Sequence, residues 1–295
     1  MPIEDFIITI YCLLEEKYQA VVKGLKLRHR GPAPALTDVE TLTMMVVGEY
    51  LGFGGDKNIW AYFSQHWLEW FPGLGCRTSF TRQCANLLGI YDRVQQMFSE
   101  QLCDSTDLYL FDGFPLPVCH IKRYKRTSPF RGIASVGYCA AKDETYFGFK
   151  GHLLISHHGV TKALSIAPAN IDERDILPEV TSGLSGDILA DKGLIRPELH
   201  ESLKNQDLHL HTPLRKNMKD HRPKTFISQI MNVRRKVETV IGQLVERFKI
   251  QSIRARDSWH LMAKIGRKIL AHTICFFANL KLNPNDPLQL ENLIA

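Results

Sequence analysis

LYLFDGFPLPVC, residues 108–119, is the stretch on which the fold turns. Its first four residues are apolar, bounded by the polar run CDSTD before them and by two prolines after, and read as a short buried strand that ends on Asp112. A carboxylate delivered by a buried strand is costly unless a cation neutralises it. Asp112 is therefore either a turn residue in water, since Asp-Gly is an ordinary turn dipeptide, or a ligand for a hard cation. Two more acidic residues tip the balance toward the ligand: Asp191, directly after the apolar run DILA, and Glu238, on a long helical stretch.

Upstream of this strand the pattern is helical. Residues 3–24 are periodic and apolar, a Pro-rich linker covers 28–35, and Thr37-Asp-Val-Glu40 is a capping box opening a helix to about Tyr50. Residues 58–70 form an aromatic amphipathic segment, and another helix runs from Thr78 toward Leu102. Trp60, Trp67, Trp70 and Phe71 recur at helical spacing, which favours core packing over base stacking. Residues 1–104 are thus expected as an all-helical domain, and 105–295 as a second domain with its own sheet.

In that second domain, residues 133–142 and 145–156 are rich in β-formers and read as a hairpin, with a further strand over 160–167. Helices are expected over 172–181, 196–205, 226–251 and 260–282, with short strands at 187–190 and 208–213. The order reads β-β-β-α-β-α-β-α. In it the first and fourth strands can lie side by side, and ligands gather at the carboxyl ends of adjacent strands in an open sheet, so Asp112 and Asp191 would face one another. On the long helix an apolar stripe runs through Phe226, Ile230, Val233, Val237, Ile241, Leu244 and Phe248, with Glu238 at its edge. Three converging carboxylates repel unless cations offset them. Oxygen-only ligands suit magnesium or manganese, and two such ions about 3.5–4 Å apart suit phosphoryl transfer.

The charge balance points the same way. Of 37 Lys/Arg and 31 Asp/Glu, residues 1–104 hold nine and twelve, a net −3, and residues 105–295 hold 28 and 19, a net +9. A basic second part suits a polyanionic partner. Seven cysteines, odd in number and without CxxC spacing, argue against a disulfide framework and for a reducing compartment. No stretch has the roughly 18 apolar residues of a membrane span.

The segments FDGFPLPVC, FGFKGHLLIS, APANIDERD, ILADKGL and NVRRKVETVIGQL resemble those of bacterial insertion-sequence transposases of the DDE type, most closely the insertion sequence 982 group. The resemblance implies an α/β fold in which a ribonuclease H-like mixed sheet is flanked by helices, with an N-terminal all-helical domain for binding DNA ends. It implies Asp112, Asp191 and Glu238 as the catalytic, metal-binding triad. It also implies magnesium or manganese as cofactor, DNA (element ends and target) as partner, a homodimer assembled on DNA, and a bacterial cytoplasmic, nucleoid-associated location. The triad spacings, 79 and then 47 residues, leave no room for a large insertion before the glutamate. Many related transposases carry Tyr three residues before the Arg that precedes the glutamate, and Lys seven residues after the glutamate. Here Arg234 and Glu238 fit, but Met231 and Val245 stand at the Tyr and Lys positions, and Lys192 or Lys249 is left to position the phosphate.

Candidate DNA contacts are the loop with Lys122, Arg123, Lys125 and Arg126, together with Arg131, and the strand pair Lys150 and His152, which share one face. Arg215, Lys216, Lys219, Arg222 and Lys224 form a second basic cluster, and residues 234–236 with Arg254 and Arg256 a third. Beside a transposase stand two other readings: a nuclease of the same fold that never joins strands, and a DNA-binding derivative without catalysis. Occupation of all three acidic positions speaks against the last.

Overall fold

The computed structural model describes all residues except 26, 28–30, 102–106, 216 and 295. Part of the expected linker, the expected domain boundary at 104/105 and Lys216 thus lie outside the described residues. The chain divides into two units, Met1–Leu102 with Leu244–Ala295, and Cys103–Gln243.

In the helical unit, α1 (Ile3–Val22) buries Phe6, Ile10 and Leu14 along one stripe. The expected capping box opens α2 (Asp38–Tyr50): the Glu40 N–H donates to Thr37 Oγ1 at 3.2 Å, and the Thr37 N–H to Glu40 Oε2 at 2.6 Å. After α3 (Asp56–His66), the helix expected from Thr78 is two, α4 (Arg77–Asn86) and α5 (Leu88–Gln101). The break is stabilised locally, since the Leu87 N–H turns back to the Cys84 carbonyl and the buried Tyr91 hydroxyl donates to that same oxygen. Core packing describes the buried Phe71, whereas Trp70 is 44% exposed.

The strand predicted to end at Asp112 continues: β1 spans Leu108–His120. β3 (Glu144–Ser156) pairs with it antiparallel along nearly its whole length, while β5 (Gly186–Leu189) pairs in parallel only with Leu108, Tyr109 and Leu110. From Phe111 onward no strand among the described residues pairs with that edge of β1. By the alternation of the strand, Pro115 and Pro117 place their missing N–H on that edge, so they do not break the ladder. β2 (Ser135–Cys139) and β4 (Thr161–Pro168) share the far edge of β3 in turn, and β6 (Leu208–His211) closes the order β2-β3-β1-β5-β6. Four strands precede α6 (Glu173–Val180), as the stretches before Asp112 and over 133–142, 145–156 and 160–167 suggest and one more than the order β-β-β-α-β-α-β-α counts, so the neighbour of β1 is the fifth strand. α6 and α7 (Pro197–Lys204) bury Leu177, Leu199 and Leu203 against Phe111, Leu154, Ile188 and Leu208 on one face of the sheet. α8 (Lys224–Glu246) carries the buried Ile230, Val237 and Val240.

α9 (Ser258–Leu282), expected to belong with the sheet, completes the helical unit and packs against α1, α2, α4 and α5. Charge as well as apolar area fixes it there. The buried Arg267 pairs with Glu49 at 2.6 Å and with Asp56, and the buried Lys268 bonds Glu49 and the Phe248 carbonyl. No helix among the described residues is long and apolar enough to cross a membrane.

Arg267→Met leaves Asp56 without its buried partner and Glu49 with only Lys268. Stripping one member from a buried ion network costs about 3–5 kcal/mol. Urea denaturation followed by helical circular dichroism should show a loss of that size, and an unchanged midpoint would mean that the network contributes nothing.

Candidate active site

The parallel register of β1 and β5 places Tyr109 opposite Ile188 and Leu110 opposite Leu189. Carried on by two residues, it sets Asp112 opposite Asp191. Phe111, Ile188 and Ala190 point into the α6/α7 core, so by strand alternation Asp112 and Asp191 point together to the other face. There Arg234 of α8 meets both. Its Nη2 lies 3.8 Å from Asp112 Oδ2 and its Nη1 3.6 Å from Asp191 Oδ1. One helical turn on, Glu238 Oε1 stands 3.6 Å from the same Nη2. These are ion-pair separations too long for hydrogen bonds, and the buried Arg234 Nε has no hydrogen-bond partner among the described residues.

One guanidinium thus faces three carboxylates, and the balance falls short. Burial raises the Asp112 carboxyl to about 6; the Gly113 N–H, bonded to Oδ1 at 2.8 Å, and Arg234 pull it down, while Glu173 and Asp191 push it up. Glu173 is the residue that sequence reasoning missed. It opens α6, pairs with Lys150 at 2.6 Å, and lies over Gly113, where an added methyl would come 2.3 Å from its Oε1. An acidic residue in the first turn of a helix is ordinary, so NIDERD gave no signal beyond the family resemblance. The glycine after Asp112, read as half of a turn dipeptide, is instead the space that admits this ion pair.

The other sequence candidates divide. His152 is fully buried, its ring parallel to that of Phe111 at 6.3 Å, and burial pushes the imidazole down to about 4, which keeps it neutral. As a DNA contact it is corrected: no surface of it reaches a ligand. Lys150 shares its face as expected but is occupied by Glu173. Lys122, Arg123, Lys125 and Arg126 are exposed on a 3-10 helix capped by His120, and none pairs with a carboxylate among the described residues. Arg131 braces that loop, donating to the carbonyls of Thr127 and Lys125 at 2.7 Å each. Arg222 is likewise committed to Asp220 and the Thr212 carbonyl. Lys192 follows Asp191 in a short 3-10 turn, and Lys249 lies in the helical unit beyond the end of α8, with φ 54°.

As they lie, no three acidic, imidazole or thiol groups among the described residues stand close enough to hold a metal ion. The chemistry of the donor set nevertheless fits a hard divalent cation. Asp112, Asp191 and Glu238 offer oxygens only and surround a single cationic group, and burial, with a smaller push from Glu173 and Asp191, raises the Asp112 carboxyl in spite of Arg234.

A family model described as "Transposase DDE domain" matches residues 102–258. Among solved structures the chain is similar to a piggyBac transposase in a synaptic complex with hairpin DNA. The TM-score is 0.50 at 11% identity, over 96% of this chain and 76% of that one, which speaks for a common fold. A comparison with curated proteins found no match.

Because the Asp112 carboxyl sits near 6 when folded and near 3.8 when unfolded, the folded state holds its proton more tightly, and this group's contribution to stability falls as pH rises from about 4 to 6. In chelator-treated protein, Asp112→Asn should gain up to about 3 kcal/mol at pH 8 and nothing below pH 4. Denaturation curves of both proteins at the two pH values test this, and an equal gain at both would assign it to packing instead.

Proposed function

Since the chain belongs to the family defined by the transposase DDE domain, we propose that it cleaves DNA at the ends of an insertion sequence and joins them to target DNA. The observation that carries this reading is the convergence of Asp112 and Asp191, from adjacent parallel strands, and Glu238, from a helix, on the guanidinium of Arg234. The sheet unit is read as a ribonuclease H-like catalytic domain of the insertion sequence 982 kind, from a bacterium, and the helical unit as the part that binds element ends. That the similar piggyBac structure is described as a synaptic complex with hairpin DNA supports DNA as the partner, bound by two copies of this chain.

Asp112, Asp191 and Glu238 would hold magnesium or manganese, which activates an attacking oxygen and stabilises a leaving one. Cleavage and joining need the same service. In the first, a water oxygen displaces the 3′ oxygen from phosphorus; in the second, the freed 3′-hydroxyl displaces a 3′ oxygen of the target. The chain's own residues arrange the setting. Gly113 donates to Asp112 and fixes its rotamer, Arg234 limits the repulsion among the three carboxylates, and the Glu173–Lys150 pair buttresses the strand beside Asp112. The exposed cations of the 3-10 loop follow the phosphate backbone.

Asp112→Ala and Asp191→Ala should each lower magnesium-dependent cleavage of an element-end duplex by at least about 100-fold while DNA binding persists, since an electrostatic group in the transition state is worth that much. Glu238→Gln should do the same and Glu246→Gln should keep most of the activity, because the two lie about 12 Å apart along the helix. A reversed result would move the third ligand. Joining of precut ends separates a transposase from a nuclease.

Replacing Lys122, Arg123, Lys125 and Arg126 by Gln should weaken binding and flatten its log-log salt slope by up to about 3.6, near 0.9 per phosphate contact. A slope equal to that of the unaltered protein would leave the loop as a solvated face.

A further inference from the structure

A cleft of about 460 Å³ opens within the helical unit between the start of α3, the first turns of α4, and the segment leading into α9. Lys57, Arg77, Arg254 and Lys264, from four separate stretches of chain, line it. By sequence this unit is close to neutral, with 17 Lys/Arg against 15 Asp/Glu over 1–102 and 244–295, so four cations in one cleft are a local concentration of charge. Among the described residues none of the four has a carboxylate within ion-pair distance. Asp56, the one acidic residue of the lining, is already neutralised by Arg267.

The same wall offers donors. Gly55, which precedes α3, has no side chain to cap it, and Asp56 is turned to Arg267 instead of capping. The Asp56 N–H faces its own carboxylate and the Asn58 N–H turns back to the Gly55 carbonyl at 3.0 Å, which leaves the Lys57 N–H and the positive end of the dipole of this eleven-residue helix at the cleft. The cleft is braced as well. Trp60 Nε1 donates to the Gly75 carbonyl at 2.9 Å, fixing the loop that carries Arg77 to α3, and Lys264 Nζ donates to the Arg254 carbonyl at 2.7 Å, fixing Arg254 to α9. Cations held together without counter-charge repel one another, and a bound polyanion removes that cost.

We infer that this cleft is a phosphodiester-binding site that takes backbone phosphates of duplex DNA without regard to sequence, a contact surface of the helical unit separate from the carboxylate site. The inference rests on DNA being the partner, and its test distinguishes the two. Contacts of this kind position DNA and do not read bases.

The full-length chain with Lys57→Gln, Arg77→Gln and Arg254→Gln, all three exposed and without ion pairs, is compared with the unaltered protein. Fluorescence anisotropy on a random-sequence duplex is measured across a salt series. The expected result is a salt slope flatter by up to about 2.7, near 0.9 for each of three contacts, equally for random and element-end duplexes, with an unchanged far-UV spectrum. Arg254→Gln alone should lose about 0.9 of slope, and Arg254→Lys should restore it. A triple-variant slope equal to that of the unaltered protein overturns the inference and leaves the proposed function standing. Failure of the unaltered protein to bind DNA overturns both. A thermal shift with inorganic phosphate that disappears in the triple variant, alongside an unaltered DNA slope, would make the cleft a small-anion site and overturn the inference too.

Discussion

Two parallel strands of unequal length impose the central constraint on this molecule. β5 stops at Leu189 and β1 does not, so the chain leaves the sheet on one side while its neighbour runs on, and the two carboxylates beyond Leu110 and Leu189 must share a small space. Alternation along both strands then decides that they share it on the side away from the α6/α7 core. Everything else near them answers to that proximity. Arg234 is drawn between them, Glu238 comes within reach of the same guanidinium, and Gly113 gives up a side chain so that Glu173 and Lys150 can pair at its shoulder.

The chain contains a second group of buried charges, and the contrast between the two is instructive. Around Arg267 the ions lie within hydrogen-bonding distance, two cations against two carboxylates, with a main-chain carbonyl taking part of the remainder. Around Arg234 one cation faces three carboxylates at 3.6 Å or more. The first arrangement is closed and holds helices together. The second keeps electrostatic free energy in reserve, as sites that bind a charged ligand do.

Much of this was legible in the residues. The Thr37–Glu40 box, the helices on either side of β5, and the three acidic positions follow from patterns that local physics enforces: a cap, a period, a charge at the end of an apolar run. What escaped had causes beyond local pattern. Two prolines signalled the end of β1, yet only the shortness of β5, a tertiary fact, tells whether their edge of the strand needs donors. His152 looked available because its strand alternates correctly, but α6 covers that face and takes its water away. Glu173 was hidden because a first-turn acid is commonplace, and α9 went to the other unit because its partners, Glu49 and Asp56, lie more than two hundred residues away in sequence.

Pro115 and Pro117 have one more consequence. A strand with one edge that no strand among the described residues covers beyond Leu110, beside a pair of carboxylates, would ordinarily invite another extended chain to add itself there by backbone hydrogen bonding. Each proline deletes a donor on that edge, and the Asp112 carboxylate has already claimed the N–H of Gly113. The strand is thus made unreceptive to β-augmentation along the stretch that borders the acidic residues. The approach to them stays clear of peptide, and aggregation through this edge is blunted by the residues that made the strand look finished.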